Sequence, residues 1–417
     1  MRLVRFILLF LWAPVAASAA TLEGLPNAAP ASAGMSAEAL AAIKPHFEAY
    51  VDEGKLGGLA TLVSRNGKIV HFETYGDRDV AAGDPIRADT IYRIYSMTKP
   101  ITGVALMMLY EEGKFRLDDP VEKYIPAFRN ARVFVSKDET GKVTTEPANR
   151  PVTMLDMMRH TAGLTYGVFG DTPVDQMYKD SGLFRPDTFP KDGDNFALWA
   201  ERLATQPLLY QPGEKWVYSL AVDVQGYLVE LLSGMPFEDF LQKRLFGPLG
   251  MKDTGFRVTA DKLDRFAEIY TREEGKDGVV PARGGLLQDF TAEPPFPSGG
   301  GGLVSTISDY WRFAQMMLNG GELDGVRVLK PETVALMTEN HLPPAIPSIS
   351  DVGQEVGFGL DFAVKGGEFY WSGMANTFFW VDRDHDVVAI VMTNYVPFGA
   401  YPIRAEFHDM VTAAITR

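Results

Sequence analysis

The chain has 417 residues, 46% of them hydrophobic, which is enough for a large core and for two sub-domains. Its 40 basic and 54 acidic residues give a formal net charge of −14, which argues against nucleic acid or an anionic membrane surface as a partner. No cysteine is present, so this chain has neither a disulfide nor a catalytic thiolate.

The first twenty residues have the pattern of an export signal. Arg2 and Arg5 precede an apolar run over 6–12, and Ala17-Ser18-Ala19 matches a small-residue cleavage site. This order predicts a signal peptide over 1–20 and a periplasmic or secreted bacterial protein, with no membrane contact after cleavage. The apolar run is too short for a spanning helix, and an uncleaved N-terminal membrane anchor is the alternative.

A helix and a hairpin come next in chain order. Apolar spacing predicts an amphipathic helix over 37–50, and strand-like runs follow over 59–63 and 69–75. Arg65-Asn66-Gly67-Lys68 joins the two runs, and Asn-Gly in such a place is the strongest short hairpin signal. From about 118 to 289 the pattern predicts helices separated by loops.

The C-terminal part returns to strands. Gly299 to Leu303 predict a tight turn at the sheet edge, and the pattern that follows predicts further elements: a helix over 307–318, strands over 358–364, 369–371, 377–381 and 387–393, and a helix over 404–416. Because the early hairpin and the late strands can join one antiparallel sheet, we expect an α+β fold flanked by helices. The expected division is a sheet domain over 21–85 and 295–417 and a mostly helical domain over 86–294.

Ser96-Met97-Thr98-Lys99 is the most informative motif. A hydroxyl stands three residues before an amine where an apolar helix begins, and Pro100 fits only a first helical turn. Residues three apart share a helix face, and the positive helix N-terminus favours a developing alkoxide on Ser96. This is the spacing of an activated serine with a lysine as neighbouring base. A bare S-x-x-K also arises about once by chance in a chain of this length, so the motif needs partners.

Tyr218 is a candidate partner. It precedes an apolar helix predicted over 221–232, on a turn from which a phenol can point into a cleft. Near an ammonium, the phenol can ionise or relay a proton, as a general acid or base beside Lys99. A tyrosine that only anchors its loop is the alternative.

Together these segments resemble the serine β-lactamase and penicillin-binding-protein superfamily, in its class C-like branch, and within it the family VIII carboxylesterases. The resemblance covers about residues 35–412. It is carried by five segments in the family's order, namely Tyr92 to Lys99, Leu155 to Leu164, Tyr210 to Ser219, Pro248 to Phe256 and Gly299 to Thr306. It implies the β-lactamase/transpeptidase-like fold, with the active site in the cleft between the two domains.

The resemblance also implies roles for matching residues. Ser96 matches the nucleophile, Lys99 the lysine that helps to deprotonate it, and Tyr218 the tyrosine that moves protons to the leaving group and later activates water. Trp371-Ser372-Gly373 stands where the substrate-binding third motif is expected, and the backbone N–H of Met374 would bind the oxyanion together with that of Ser96. Each such donor stabilises the transition state by roughly 3 kcal/mol. The sequence leaves open whether Lys99 or Tyr218 is the general base.

Two departures from the β-lactamase pattern favour an ester substrate. β-Lactamases of this branch carry Tyr-x-Asn at the second motif and Lys-Thr-Gly at the third, whereas this chain has Leu220 and Trp371 at those places. The site therefore lacks an amide and a cation for anionic amide substrates, and the tryptophan offers apolar surface. Candidates for the wall of an acyl pocket, with core packing as their alternative role, are Tyr166, Phe169, Phe184 and Trp216.

Other chemistries have less support in the sequence. No serine lies in a G-x-S-x-G context, and the six histidines show no H-x-x-x-H spacing. His160 belongs to a loop motif of the family and is interpreted as structural. We therefore expect a carboxylesterase that cleaves short-chain, small-molecule esters without a metal or cofactor. The alternatives are a class C-like β-lactamase or D-alanyl-D-alanine carboxypeptidase and, in another class, a non-catalytic sensor.

Overall fold

The structure, a computed structural model, describes residues 22, 24–183, 195–284, 287–351 and 353–416. The predicted signal peptide and Phe184 lie outside these residues. No helix in the described ranges has the length and apolar character that a membrane crossing requires.

The elements alternate between short helices and strands. The helices are α1 (Ala37–Ala41), α2 (Ile43–Asp52), α3 (Thr98–Glu111), α4 (Met154–Met158), α5 (Pro173–Asp180), α6 (Phe196–Ala204), α7 (Ala221–Ser233), α8 (Phe237–Leu241), α9 (Gly247–Leu249), α10 (Ile307–Leu318), α11 (Pro331–Met337) and α12 (Ile403–Ala414). The strands are β1 (Gly58–Arg65), β2 (Lys68–Asp79), β3 (Asp84–Pro85), β4 (Tyr92–Arg93), β5 (Arg132–Lys137), β6 (Val143–Pro147), β7 (Tyr270–Thr271), β8 (Val280–Pro281), β9 (Val304–Ser305), β10 (Glu322–Leu323), β11 (Val326–Arg327), β12 (Ile349–Asp351), β13 (Gln354–Phe358), β14 (Ala363–Lys365), β15 (Glu368–Ser372), β16 (Phe378–Asp382) and β17 (Val387–Thr393).

Within the described ranges, nine strands form one sheet in the order β12-β13-β14-β15-β16-β17-β1-β2-β3. β1 pairs antiparallel with β2 through the predicted hairpin, whose Asn66 and Gly67 have φ of 53° and 70°. Positive φ at both central residues is what a two-residue hairpin turn of this kind needs. β1 also pairs antiparallel with β17, with Thr61 opposite Val391. The early hairpin and the late strands therefore share one sheet, as predicted.

Helices cover both faces of this sheet. Successive strand residues point to opposite faces, so Phe379 of β16 packs on Tyr310 of α10, whereas Trp380 packs on Phe407 of α12. Every residue of β16 and β17 is buried, as expected for strands covered on both sides. The sheet is thus the middle of three layers.

α3 lies deep in the fold because it is apolar or small on all sides, and its residues from Thr98 to Leu109 are buried. The segment that leads into α3 is held at two points. Tyr92 of β4 pairs with Ser305 of β9, and Tyr310 of α10 donates a hydrogen bond to the carbonyl of Met97 at 2.9 Å. The start of α3 is therefore fixed by distant parts of the chain.

The structure corrects three predicted elements. The helix expected over 37–50 is two helices, α1 and α2, that meet at Ala42. The region expected to be helical contains the hairpin β5–β6. The strand expected over 358–364 is interrupted after β13, where Asp361 adopts φ of 65°, a left-handed conformation that a strand cannot contain. The α+β class is confirmed, whereas the predicted domain boundaries stay a prediction.

Candidate active site

Ser96 lies in a 3-10 turn, Tyr95–Met97, immediately before α3. The sequence predicted the first turn of the helix itself, whereas Ser96 lies two residues before Thr98, the first residue of α3. Tyr95 has φ of 40°, a left-handed conformation that costs a bulky residue about 1–3 kcal/mol and that clusters at functional sites. The Leu303 N–H donates to Thr98 Oγ1 at 3.1 Å, which helps to hold the turn.

Lys99 is buried one turn further on, with 1% of its surface exposed. Its Nζ donates to Ser96 Oγ at 3.2 Å, to Tyr166 OH at 3.0 Å and to the Gly300 carbonyl at 2.5 Å. An ammonium has three N–H donors, and these three acceptors match them. The predicted contact between Ser96 and Lys99 is present in the structure.

The electrostatic surroundings of Lys99 favour its charged form. Burial by itself lowers the pKa of Lys99, but the neighbouring Tyr166, Tyr218 and Asp223 outweigh burial and raise the net pKa above the usual lysine value. Burial has the opposite effect on Tyr166, because it raises the pKa of a phenol, so that phenol stays protonated. Lys99 is therefore an ammonium at neutral pH rather than a ready base.

Tyr218 lies on the other side of Ser96. Backbone bonds from Val217 N–H to the His160 carbonyl at 2.9 Å and from Leu220 N–H to the Thr165 carbonyl at 3.2 Å hold its segment just before α7. The phenol donates to Ser96 Oγ at 2.8 Å, and Lys99 Nζ lies 4.6 Å from the centre of its ring. Ser96 is thus hydrogen-bonded by both predicted partners.

The third-motif segment follows the strand β15. The indole N–H of Trp371 donates to Tyr218 OH at 3.3 Å, so this residue joins the site. Gly373 lies so close to the turn before Ser96 that an added Cβ would be 2.3 Å from the Ile94 carbonyl. Only glycine fits there, and the motif is held against the nucleophile's own backbone.

The structure does not bring the Ser372 hydroxyl to the same site. Ser372 Oγ accepts a hydrogen bond at 3.3 Å from Arg404 of α12, on the opposite face of the sheet from Trp371. Successive side chains of a strand point to opposite faces, so the neighbours Trp371 and Ser372 cannot enter the same site, and the sequence alone could have shown this. Met374 is half-buried beside Tyr95 in a small apolar cluster. The oxyanion role of its backbone N–H stays a prediction.

Aromatic rings surround the phenol of Tyr218. Trp216 stacks on it with ring centres 6.1 Å apart, and Trp371 lies at 5.6 Å. Tyr166 and Phe169 lie at 5.2 and 6.0 Å, and Phe169 is 60% exposed. Three of the four predicted wall residues therefore lie around Tyr218, namely Tyr166, Phe169 and Trp216. Tyr166 also bonds to Lys99.

His160 packs edge-on against Trp216 and lies 5.1 Å from the Tyr218 ring. Its Nδ1 is hydrogen-bonded to Ser219 Oγ at 3.0 Å. Burial and the nearby Lys99 charge lower the pKa of His160 well below its usual value, so the imidazole is neutral. His160 therefore supports the tyrosine's segment and carries no charge at neutral pH.

Sequence reasoning missed two parts of the site. The glycine run 299–302 was expected to be a turn at the sheet edge, yet the Gly300 carbonyl contacts Lys99, and a Cβ at Gly299 would lie 2.5 Å from the Val222 carbonyl. Asp223, buried in the first turn of α7, was not singled out. Four consecutive glycines were the available signal, because close backbone approach is one reason for glycine.

Comparison with known proteins identifies the family of the chain. The β-lactamase family model matches residues 43–413. Protein Rv1367c of Mycobacterium tuberculosis is 35% identical over 366 residues, covering 83% of this chain and 88% of the relative. Esterase EstB of Burkholderia gladioli is 30% identical over 418 residues, covering 92% and 98%.

A solved structure with a similar fold is EstCE1, described as a hydrolase with promiscuous acyltransferase activity. It superposes with a TM-score of 0.75 at 24% identity, covering 91% of this chain and 99% of its own. The predicted β-lactamase/transpeptidase-like fold is confirmed. With the family match over most of its length and its esterase relative, the chain belongs to the β-lactamase family of serine hydrolases.

Proposed function

We propose that this protein is a carboxylesterase that hydrolyses short, uncharged carboxylic esters through an acyl-Ser96 intermediate. The observation that carries the proposal is the position of Ser96 Oγ, 3.2 Å from Lys99 Nζ and 2.8 Å from Tyr218 OH, beside a tryptophan rather than a lysine at the third motif. The name of EstB, an esterase, supports the same substrate class.

In the proposed acylation, Ser96 Oγ attacks the carbonyl carbon of the ester. In the reactive form, Tyr218 has released to water the proton that it donates to Ser96 Oγ in the structure. The serine proton passes to the resulting phenolate oxygen, whose negative charge is stabilised by the Lys99 ammonium and by the N–H of Trp371. The tetrahedral intermediate collapses, the bond to the alcohol oxygen breaks, and Tyr218 returns the proton to the leaving alkoxide. The products are a free alcohol and an acyl group on Ser96.

Deacylation repeats these steps with water. Tyr218 takes a proton from a water molecule that attacks the acyl carbonyl, and it then protonates Ser96 Oγ as the acid leaves. Lys99 keeps its proton throughout, which agrees with its raised pKa and with its three acceptors. The general base in this proposal is therefore Tyr218, the choice that the sequence left open.

The preference for uncharged esters follows from what surrounds the nucleophile. Trp371 is 9% exposed and presents an indole where β-lactamases of this branch carry a cation, and Leu220 is fully buried. A site built on hydrogen bonds rejects ligands that lack the matching groups, whereas an apolar pocket is permissive. We expect activity on acetyl to hexanoyl esters, falling for long acyl chains.

The test is a panel of p-nitrophenyl esters of rising acyl length, measured beside a chromogenic cephalosporin. The expected result is a higher kcat/KM for p-nitrophenyl butyrate than for the cephalosporin, and no turnover of either by Ser96→Ala. Ser136→Ala, at an exposed serine of β5, is the matched control. A higher kcat/KM for the cephalosporin would replace the esterase with a β-lactamase, and turnover by Ser96→Ala would refute the mechanism.

We also propose export to the periplasm or medium, on the basis of residues 1–20. The mature chain is expected to begin near Ala20 or Thr21. Intact-mass measurement of the protein from a fractionated bacterial host checks this, and a cytoplasmic product that retains Met1 would contradict it.

A further inference from the structure

A buried carboxylate lies behind Lys99, and the proposed proton transfers do not use it. Asp223 stands in the first turn of α7 and is 1% exposed. Its Oδ1 accepts hydrogen bonds from Ser298 Oγ at 2.5 Å and from the Gly300 N–H at 3.0 Å. Buried carboxylates need such partners, and these two bonds fix the 298–300 segment to α7.

Gly300 is held at both of its ends. Its N–H bonds to Asp223, and its carbonyl accepts from Lys99 Nζ at 2.5 Å. A Cβ at this position would lie 2.5 Å from Asp223 Oδ2 and 3.0 Å from Tyr166 OH, so no side chain fits. A continuous series of contacts therefore leads from the carboxylate through the glycine to the ammonium and on to Ser96.

Ionisable groups from several elements face Lys99; among the described residues they are Tyr166, Tyr218, His160, Asp223 and Asp361. His160 is neutral, and burial raises the pKa of Asp361 well above its usual range. Burial also raises the net pKa of Asp223, although the bond from Ser298, the Lys99 charge and the Gly300 N–H act in the opposite direction. Of the two acids, Asp223 is the one whose carboxylate is bonded to the Gly300 N–H.

We propose that Asp223 is a positioning residue for Lys99. It fixes the Gly300 carbonyl that receives one N–H of the ammonium, and it supplies a buried negative charge that keeps the ammonium directed at Ser96. This inference rests on the proposed role of Lys99 in acylation.

The test compares Asp223→Asn with Asp361→Asn, two isosteric changes of fully buried acids. The readout is the rate of Ser96 labelling by a fluorophosphonate, followed by intact mass from pH 6 to 11, together with Tm. In this reaction the serine oxygen bonds to phosphorus, fluoride leaves, and the serine proton passes to Tyr218. It measures activation of Ser96 whatever the natural ester is.

Asp223→Asn is expected to slow labelling about 10- to 100-fold, because a misdirected catalytic group costs this much. It is also expected to move the fall in rate at alkaline pH to a lower pH, because an ammonium without its counter-charge loses its proton more easily. Asp361 accepts a hydrogen bond from Gln225 rather than from Gly300, so the labelling rate of Asp361→Asn is expected to stay within about 3-fold and its alkaline limb to stay in place.

Ser298→Ala keeps the carboxylate but removes one of its donors, and a rate between wild type and Asp223→Asn is expected. If Asp223→Asn does not fold, Ser298→Ala decides the matter, and labelling by folded Ser298→Ala at the wild-type rate overturns the inference. A wild-type rate and an unchanged alkaline limb in folded Asp223→Asn overturn it as well. Labelling of Ser96 without any ester hydrolysis would contradict the proposed esterase alone.

Discussion

The two sides of Ser96 differ in polarity and in exposure. On the Lys99 side, the ammonium donates to the Tyr166 hydroxyl and to the Gly300 carbonyl, and the Gly300 N–H donates to the buried carboxylate of Asp223. On the Trp371 side, Tyr218 is surrounded by aromatic rings, one of which belongs to the exposed Phe169. Ser96, Tyr218 and Tyr166 contact both sides.

This difference separates proton chemistry from substrate recognition. A buried, hydrogen-bonded charge acts in a low effective dielectric and needs no reorganisation during the reaction. An exposed aromatic surface accepts apolar groups of varied shape. Changes on the Lys99 side should therefore reduce kcat for every substrate, whereas changes on the aromatic side should alter the choice among substrates.

The largest effect is expected from Lys99→Met, which removes the charge and keeps the length of the side chain. We expect kcat/KM for p-nitrophenyl butyrate to fall about 10³-fold or more, for all acyl lengths alike. Lys114→Met, at an exposed lysine just beyond the same helix, is the control and should change little. Unequal losses across the ester panel would break the separation of the two sides.

Tyr218→Phe is expected to lower kcat/KM about 10²-fold or more, because the proton relay is lost while the ring remains. Since Lys99 acts by stabilising the charge on Tyr218, the double variant should be little slower than Lys99→Met alone. Steady-state kinetics of the two single variants and the double variant measure this coupling. If the fold-decrease in the double variant equalled the product of the two single decreases, the two residues would act independently.

Trp371→Phe removes the N–H donor to Tyr218 and keeps an aromatic ring. One neutral hydrogen bond contributes about 0.5–1.5 kcal/mol, so we expect kcat to fall about 2- to 12-fold. Trp371→Lys should in addition shift relative kcat/KM from uncharged esters toward anionic substrates. An unchanged selectivity in Trp371→Lys would mean that the aromatic side does not choose the substrate.

Phe169→Ala tests the exposed edge of the aromatic side. Loss of one aromatic contact is expected to raise KM for p-nitrophenyl butyrate about 2- to 5-fold, with kcat nearly unchanged. Phe398→Ala, at another exposed phenylalanine, is the matched control. A loss confined to kcat would move Phe169 from substrate contact to the proton relay.

The smallest effect at neutral pH is expected from His160→Gln. This substitution should instead change the stability of the protein at acidic pH. The folded-state pKa of His160 is well below its unfolded value of about 6.5, so the unfolded chain binds more protons between these two values. Stability is therefore lost as pH falls below about 6.5. Melting temperatures from pH 7 to 5 should fall less steeply in His160→Gln, with buried His71 retaining part of the slope because burial lowers its pKa to about 4. Equal slopes would contradict a neutral, buried imidazole.

Much of the fold was predictable because its signals are local. Asn66-Gly67 specifies the turn between β1 and β2, and the helix α10 ends at the residues that its apolar spacing predicted. The break at Asp361 was missed because a short apolar run does not reveal a left-handed residue within it. The hairpin β5–β6 was missed because its strands are largely exposed and carry little alternation.

The sequence by itself determined that Ser96 and Lys99 lie in contact, because a spacing of three residues on one helical face brings them together wherever the helix lies. Tertiary structure alone decided what surrounds them. Lys99 meets Gly300 across 201 residues of sequence and Tyr166 across 67. Periodicity tells which face of an element is buried, but not which distant element covers that face. The charge on Lys99 depends on those distant neighbours, and so therefore does the identity of the base.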